Sequence, residues 1–501
     1  MRIDDFPADI RPYLLPSPSG RIVYECLKCG REHGIGELLY TCPDCGGILL
    51  LADLEQNRLG EIPGALWQKI FDYRKMLNVS ALKGVFLFHE FLAPIIPLDD
   101  VIYLGEGHTP IVMANQVLTD MAGTEFYYKY DGLNPSASFK DRGMAAAVSY
   151  LNHLVRIKKL DNVLSICAST GDTSAAAALY TARFGGSIRS AVLLPQGKVT
   201  PQQLGQPLGS GANVFELPGV FDDCMKVVER LADTFDVALL NSKNAWRILG
   251  QESYAFEIAQ DFDYKIKDLS LFVPIGNAGN ITAVLGGLLK FERFGIIDGL
   301  PKIFGVQSTH ANPVFNYYAE PPEKRDFKPV IVQQSVAQAA MIGNPVSMPR
   351  VIKMVEEYEN RAGEARFFVV QVDEQSIIDY MLLANRNGHV VCTQGGESLA
   401  GLRQALDSGL LKPGEKAVLN STSHILKFAE FQNTYFEDNF DQEFEIQAKS
   451  ELINRPRYIQ PEGLSRIPKP GEKLPAEDLE IYVDLTAKEI ARLLDLKSKK
   501  E

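Results

Sequence analysis

No run of about 18 uninterrupted apolar residues occurs in the chain, so no membrane-spanning helix is expected. The opening residues, Met1-Arg-Ile-Asp-Asp-Phe-Pro7, lack the apolar core of a secretory leader. Positive charge is scarce: 51 Lys and Arg against 63 Asp and Glu leave a formal net charge of −12. That balance argues against a general nucleic-acid binder. It leaves room for an anionic small molecule, because a local cationic pocket can oppose the global field. Cysteine is also sparse, with seven residues in 501. Four sit in two close pairs near the start, and Cys167, Cys224 and Cys392 are scattered. This is no disulfide framework, so a reducing cytoplasm is the expected compartment. Internal repeats and low-complexity blocks are missing too.

What is present is 46% hydrophobic and 23% charged residues, the composition of a soluble globular protein. The length suggests more than one domain and a core large enough to enclose a cofactor. Four regions are expected: residues 1–50, a zinc-ribbon-like module; 51–124, a helical extension and lead-in; 125–430, the catalytic core; and 431–501, a polar, proline-bearing tail. From about residue 125 short apolar runs alternate with amphipathic or Ala-rich stretches, the mark of a parallel α/β sheet. The runs are Phe126–Tyr130, Val163–Cys167, Ala191–Leu194, Val237–Leu240, Leu271–Ile275, Ile303–Val306, Phe367–Val372, His389–Cys392 and Ala417–Leu419. Helical patterns include Ser174–Phe184, Asp222–Phe235 and a last piece at Ala487–Leu496. Ligands of such folds bind beyond the carboxyl ends of the strands.

The motifs with chemical content fall at those ends. Asn134-Pro-Ser-Ala-Ser-Phe-Lys-Asp-Arg-Gly143 places Lys140 at the mouth of an apolar helix. The first helical turn has unpaired N–H groups and a positive dipole end, which help keep an amine neutral. A neutral lysine is a base and a nucleophile toward an aldehyde. The plain alternative is an ordinary helix start, with Ser138 as cap and Asp141 as a weak capping-box partner. In Val273-Pro-Ile-Gly-Asn-Ala-Gly-Asn-Ile-Thr282, Gly276 and Gly279 let the backbone close around an anion at a helix N-terminus. Asn277 and Asn280 add donors or orient that loop. In Ile166-Cys-Ala-Ser-Thr-Gly-Asp-Thr-Ser174, the hydroxyls of Ser169, Thr170 and Thr173 suit a carboxylate. Asp172 would repel one unless it faces elsewhere. Asn241, Ser242 and Arg247 stand near a strand end, where arginine can grip a phosphate with two parallel bonds. Thr422, after the last strand, can meet a ring nitrogen. Each of these loops also reads as a glycine turn, a helix cap or a surface arginine.

Cys26-x-x-Cys29 and Cys42-x-x-Cys45 lie twelve residues apart. Two such knuckles bring four thiolates to one tetrahedral ion, and the spacing points to a closed structural zinc site. His33 lies between them and is a weaker alternative ligand. The other alternative is a ribbon that has lost its metal.

Taken together and in this order, the loops resemble fold-type II pyridoxal-phosphate enzymes (the tryptophan-synthase-β-like fold), and within them the plant-like threonine synthase family. The family's Ser-Phe-Lys-Asp stands here as Ser138–Asp141, and its Ser-Thr-Gly-Asp/Asn-Thr-Ser as Ser169–Ser174. Its Gly-Asn-x-Gly-Asn stands as Gly276–Asn280, and its late Thr-x-His motif begins at Thr422. Asn312-Pro, Gly343–Ser347 and the 241–247 segment add to the likeness, which covers about residues 100–430. The resemblance implies two open α/β sheet domains with an N-terminal zinc-ribbon-like module. It implies that Lys140 carries pyridoxal 5′-phosphate as a Schiff base, and that Gly276, Asn277, Ala278, Gly279 and Asn280 cradle the cofactor phosphate. Thr422 would meet the pyridine nitrogen and Asp172 would stand near the cofactor hydroxyl. Ser169, Thr170 and Thr173 would bind the substrate carboxylate, and Asn241, Ser242 and Arg247 its phosphate. A small phosphorylated amino acid is the implied partner, with no nucleic acid or membrane, in a homodimer.

Departures from the family pattern are Ser136-Ala137 before the lysine motif, Ser423 and Ile425 in the late motif, and Thr393-Gln-Gly-Gly-Glu-Ser398. The expected reaction converts O-phospho-L-homoserine and water to L-threonine and phosphate. Rivals on the same scaffold are cysteate synthase and a threonine or serine dehydratase. A zinc-ribbon interaction protein with an inactive enzyme-like body is the rival of another class.

Overall fold

The computed structural model describes the chain apart from residues 159–162, 169–170, 186–187, 197–200, 219–220, 236, 465 and 499–501. Contacts divide it into two units, Met1–Gln447 and Ala448–Glu501.

The first unit begins with a small antiparallel sheet of β1 (Ile22–Cys26), β2 (Glu32–Gly34) and β3 (Leu49–Asp53), in the order β2-β1-β3. Along β1, Ile22, Tyr24 and Cys26 are buried and the residues between them half-buried, the period of a strand with one packed face. The cysteine pairs sit on the two knuckles beside this sheet. Gly30 and Gly46 turn them with φ of +70° and +69°, a region glycine enters without steric cost. Their N–H groups return to Cys26 O and Cys42 O at 2.9 and 2.8 Å.

Among the described residues, ten further strands make two sheets. They are β4 (Ile111–Met113), β5 (Phe126–Tyr130), β6 (Val163–Ala168), β7 (Ile188–Pro195), β8 (Asn213–Leu217), β9 (Val237–Leu239), β10 (Ser270–Pro274), β11 (Lys302–Ser308), β12 (Phe367–Val372) and β13 (Ala417–Ser421). The larger sheet runs β12-β11-β10-β13-β5-β4, with only β4 antiparallel to its neighbour. The smaller runs β8-β7-β6-β9 and is wholly parallel. All strands of the smaller sheet lie between β5 and β10 in the sequence. The chain therefore leaves the larger sheet, builds the smaller one and returns. β10 and β13 are buried at every residue, as expected of parallel strands covered on both faces.

The helices that position the site are α1 (Lys140–Lys158), α2 (Asp172–Ala182), α3 (Ala245–Gln251), α4 (Gly279–Arg293), α5 (Met348–Ala362) and α6 (Thr393–Asp407). α1 is buried from Asp141 through Leu151, a core helix rather than a surface one. It crosses α3 closely. A Cβ on Gly143 would meet Arg247 O at 2.8 Å, and one on Gly250 would meet Arg142 O at 2.3 Å. Two glycines thus set how near Arg247 comes to the start of α1.

One expected strand is not formed. His389–Cys392 runs from a turn into α6 without ladder bonds. Asn385 satisfies it instead: its Oδ1 accepts from Val391 N at 2.9 Å and its Nδ2 donates to Val391 O at 3.1 Å. In the second unit, α7 (Ala476–Leu493) begins well before the expected Ala487. It starts directly after Pro475 with Glu477 and Asp478 in its first turn, which suit the positive end of the helix dipole.

Candidate active site

Loops leaving the carboxyl ends of β5, β9, β10 and β13 line one cleft. Phe139 and Lys140 come from the first, Ser242 and Arg247 from the second, Gly276–Asn280 from the third and Thr422 from the fourth.

Lys140 is the first residue of α1. The loop before it is tied to the loop after β13: Phe139 N donates to Thr422 O at 2.8 Å and His424 N to Ala137 O at 3.1 Å. The expected cap at Ser138 is not made, and its hydroxyl is buried without a partner. Asp141 turns back instead and accepts from Ser136 N at 2.6 Å. The lysine amine lies 4.3 Å from the Phe139 ring centroid. Burial, and after it the charge of Arg247, lowers its ammonium to about 7, with Asp172 opposing. A large neutral fraction therefore exists at ordinary pH, as a nucleophilic lysine requires.

β10 ends at Pro274, and the chain turns through Gly276–Ala278 into α4. A Cβ on Gly276 would meet Ala340 Cα at 3.0 Å, and one on Gly279 would meet Ile248 Cδ1 at 3.0 Å. Ala278 holds φ of +61°, a left-handed conformation uncommon outside glycine. The first turn of α4 presents N–H groups with no partner inside the helix, and its dipole favours an anion there. Asn280 donates to Asn420 Oδ1 at 2.9 Å and leaves its own Oδ1 buried without a partner. Asn277 O accepts from Ser347 N at 3.2 Å. Thr422 Oγ1 lies 3.6 Å from Cys392 Sγ.

Arg247 is 2% exposed. Its Nη1 donates to Leu240 O at 3.0 Å, and its Nε is buried with no partner. Burial lowers its guanidinium to about 10, which still leaves it charged at neutral pH. A buried cation without a carboxylate is costly unless an anion completes it.

Other expected site residues are placed differently. Ser169 and Thr170 lie outside the described residues. Thr173 is half-buried in the first turn of α2 and is not among the residues lining the cleft. Asp172 faces Ser423 Oγ and Lys427 Nζ, the latter at 2.8 Å, and is not among the residues lining the cleft. Asn241 spends both amide atoms on Ala168, accepting from its N at 3.1 Å and donating to its O at 2.6 Å. The side chain thereby adds one more rung between β9 and β6.

Sequence reasoning missed Gln251 and Gln394, which line the cleft. Gln251 Oε1 and both amide atoms of Gln394 are buried without partners. The unmatched stretch Thr393–Ser398 was the only signal for Gln394, and Gln251 carried none.

Away from the cleft, the sulfurs of Cys26, Cys29, Cys42 and Cys45 all lie within 4.8 Å of one another. Cys26 and Cys45 are 3.5 Å apart, and Cys29 and Cys42 are 3.8 Å apart. A tetrahedral ion with zinc–sulfur bonds of about 2.3 Å needs sulfurs about 3.8 Å apart, so the set fits zinc. His33 Nε2 stands 3.3 Å from Cys42 Sγ and 3.7 Å from Asp44 Oδ2.

Comparison with known proteins bears on the same residues. A family model described as pyridoxal-phosphate dependent enzyme matches residues 102–423. The threonine synthase of Methanocaldococcus jannaschii is 35% identical over 407 residues, covering 81% of this chain and 93% of that protein. Threonine synthase 2, chloroplastic, of Arabidopsis thaliana is 32% identical, covering 86% and 81% respectively. A crystal structure of threonine synthase from Escherichia coli superposes with a TM-score of 0.62 over 84% of this chain and 92% of that one. At 20% identity, that superposition speaks for the fold alone.

Proposed function

We infer the activity from one premise: the chain belongs to the pyridoxal-phosphate dependent enzymes, the family matched over residues 102–423. It is a threonine synthase, a carbon–oxygen lyase that converts O-phospho-L-homoserine and water to L-threonine and phosphate. The observation that carries this reading is a pair of buried cations in one cleft. One is a lysine poised to be neutral, and the other an arginine that lacks a counter-ion among the described residues.

The cleft fits the cofactor. Its glycine loop has no room for added side chains, unpartnered amides face it, and its lysine amine is free to react. In this reading Gly276, Asn277, Ala278, Gly279 and Asn280 hold the cofactor phosphate through N–H groups at the start of α4. Thr422 Oγ1 would serve the ring nitrogen. Asp172, paired with Lys427, would stand near the ring hydroxyl. Bound there, the cofactor supplies the electron sink that acidifies the substrate's Cα and then its Cβ.

The chain's own groups do the rest. Lys140 Nζ would hold the cofactor and, when free of it, is the base placed to take the substrate's Cα proton and to return protons. Each such transfer by a positioned base is worth about 10²–10⁴-fold. Arg247 and Ser242 grip the phosphate that leaves from Cγ, and Asn241 fixes their segment to β6. Ser169, Thr170 and Thr173 take the substrate carboxylate.

Cys26, Cys29, Cys42 and Cys45 would hold one structural zinc ion. The cytoplasm as compartment is supported by seven unpaired cysteines. A homodimer is the assembly usual in the family. No helix among the described residues is long and apolar enough to cross a membrane.

The test is spectroscopic and then chemical. Purified protein should absorb at about 410–420 nm, the band of a lysine-bound cofactor, and Lys140→Ala should lose it. Phosphate should be released from O-phospho-L-homoserine. Release only from phosphoserine with sulfite would make the chain a cysteate synthase. Turnover of unphosphorylated threonine alone would make it a dehydratase.

A further inference from the structure

The segment that carries Arg247 is not held by its own sheet alone. Arg350, on the first turn of α5, is fully buried and spends its guanidinium on four different groups. Nε and Nη2 donate to Leu49 O on β3 at 3.0 and 2.6 Å. Nη1 donates to Ser242 O at 3.1 Å and to Ser347 Oγ at 3.0 Å, and Nη2 donates to Lys243 O at 3.0 Å. No carboxylate is among these partners. Burial, and after it the charge of Arg247, lowers the Arg350 guanidinium to about 9, so it too stays charged at neutral pH. Two guanidiniums without counter-ions therefore lie close enough to repel each other, and only Arg247 lines the cleft.

The N-terminal module also holds the same segment directly. Trp246 Nε1 donates to Tyr24 OH at 3.2 Å, and the Trp246 ring stacks on Tyr150 with centroids 3.8 Å apart. Tyr150 OH in turn donates to Ile35 O. Leu239 N, at the end of β9, donates to Tyr40 OH at 2.8 Å. Bonds from the cysteine-bearing module thus reach residues 239, 242, 243 and 246, directly or through Arg350. All four precede Arg247 in the sequence, and the last is its immediate neighbour.

We propose that Arg350 is a positioning residue for the substrate's phosphate, and that through it the cysteine-bearing module braces the segment that grips that phosphate. This rests on the reading of Ser242 and Arg247 as the phosphate grip. Arg350 does not touch the phosphate. It fixes the carbonyls of Ser242 and Lys243, and it adds a second positive charge that a dianion relieves. Lysine cannot replace it, because one ammonium cannot serve acceptors lying in different directions.

The test uses full-length protein with cofactor bound, so that the cofactor's own phosphate fills the Gly276–Asn280 loop. Inorganic phosphate is then titrated by calorimetry into wild type, Arg350→Lys and Arg350→Met. Wild type should bind it. Arg350→Met should weaken binding about tenfold or more and raise KM in step while kcat changes little, the pattern of lost ground-state binding. Arg350→Lys should fall between them, because it keeps the charge and loses the fork. Its amide exchange should quicken at 241–247 while the cofactor band stays unchanged. Cys42→Ser, which breaks the metal set without touching the cleft, should weaken phosphate binding in the same direction. Equal phosphate affinity in Arg350→Lys and wild type, with unchanged exchange at 241–247, would overturn the brace alone. Wild type that neither binds phosphate nor turns over a phosphorylated substrate would overturn the phosphate grip, and this inference with it.

Discussion

Two buried arginines, on helices that cross at Gly143 and Gly250, have opposite surroundings. Arg142 meets two carboxylates. Its Nη1 donates to Glu257 Oε1 at 2.6 Å and its Nη2 to Asp131 Oδ1 at 2.8 Å, with Ser253 and Thr109 hydroxyls completing the fork. Burial alone would lower its guanidinium, but Asp131 and Glu257 reverse this and raise it. Arg247 has the same burial and no carboxylate, and its guanidinium falls. Burial penalises both ions in the same way. One penalty is answered inside the protein, and the other waits for a ligand. The first arginine is part of the scaffold beneath Lys140 and the second is part of the site.

Replacing each by methionine sharpens this contrast, and the larger effect belongs to the scaffold. Arg142→Met strands Asp131 and Glu257 in the core. Removing one partner of a buried pair costs about 3–5 kcal/mol. Lys129, 3.1 Å from Glu257, softens the loss on that side, which favours the low end. Urea unfolding should report it as a lower midpoint. Arg247→Met removes a charge that nothing answers, so the unligated protein should be at least as stable as wild type. Its cost should appear in turnover instead. Losing hydrogen bonds from a charged group is worth about 1.5–3 kcal/mol, or roughly 10- to 150-fold in kcat/KM for the phosphorylated substrate. A large loss of stability in Arg247→Met, with normal turnover, would put both arginines in the scaffold and break the distinction.

What the sequence let one read follows the same line. The lysine loop and the glycine loop are local: residue types, spacing and strand–helix order are all visible in a short window. Both sheets were visible as apolar runs, because parallel strands buried on two faces need them. β4 (Ile111–Met113) and β8 (Asn213–Leu217) were not. Both are edge strands, with Met113 51% and Phe215 52% exposed, so neither shows a long, clean apolar run. His389–Cys392 misled for the converse reason: it is mostly buried, but a side chain rather than a neighbouring strand satisfies its backbone. Asn241 was read as a ligand to the substrate, and its motif could not show that Ala168 takes both of its amide atoms. Arg350 had no signal at all, since Leu49 O lies 301 positions away in sequence. A side chain whose partners are backbone carbonyls leaves no trace in the partners' identities.

The smallest expected effect is electrostatic, and it asks whether Arg247 reaches Lys140 without touching it. The largest charge acting on the Lys140 amine is that of Arg247, with Asp172 opposing it. Arg142, two residues along the same helix, carries its counter-charges Asp131 and Glu257 with it. Only the neutral amine attacks an aldehyde, so cofactor capture by cofactor-free protein should speed up as pH rises and level off above a midpoint of about 7. In Arg247→Met a repelling cation is gone and the ammonium is easier to keep. The amine's pKa then rises, and the midpoint must move to higher pH. Arg142→Lys, which preserves the paired charge, should leave the midpoint in place. Stopped-flow capture across a pH series, followed by absorbance at about 410–420 nm, separates the two variants. A downward shift in Arg247→Met would mean that this guanidinium does not act on Lys140 as an unscreened positive charge.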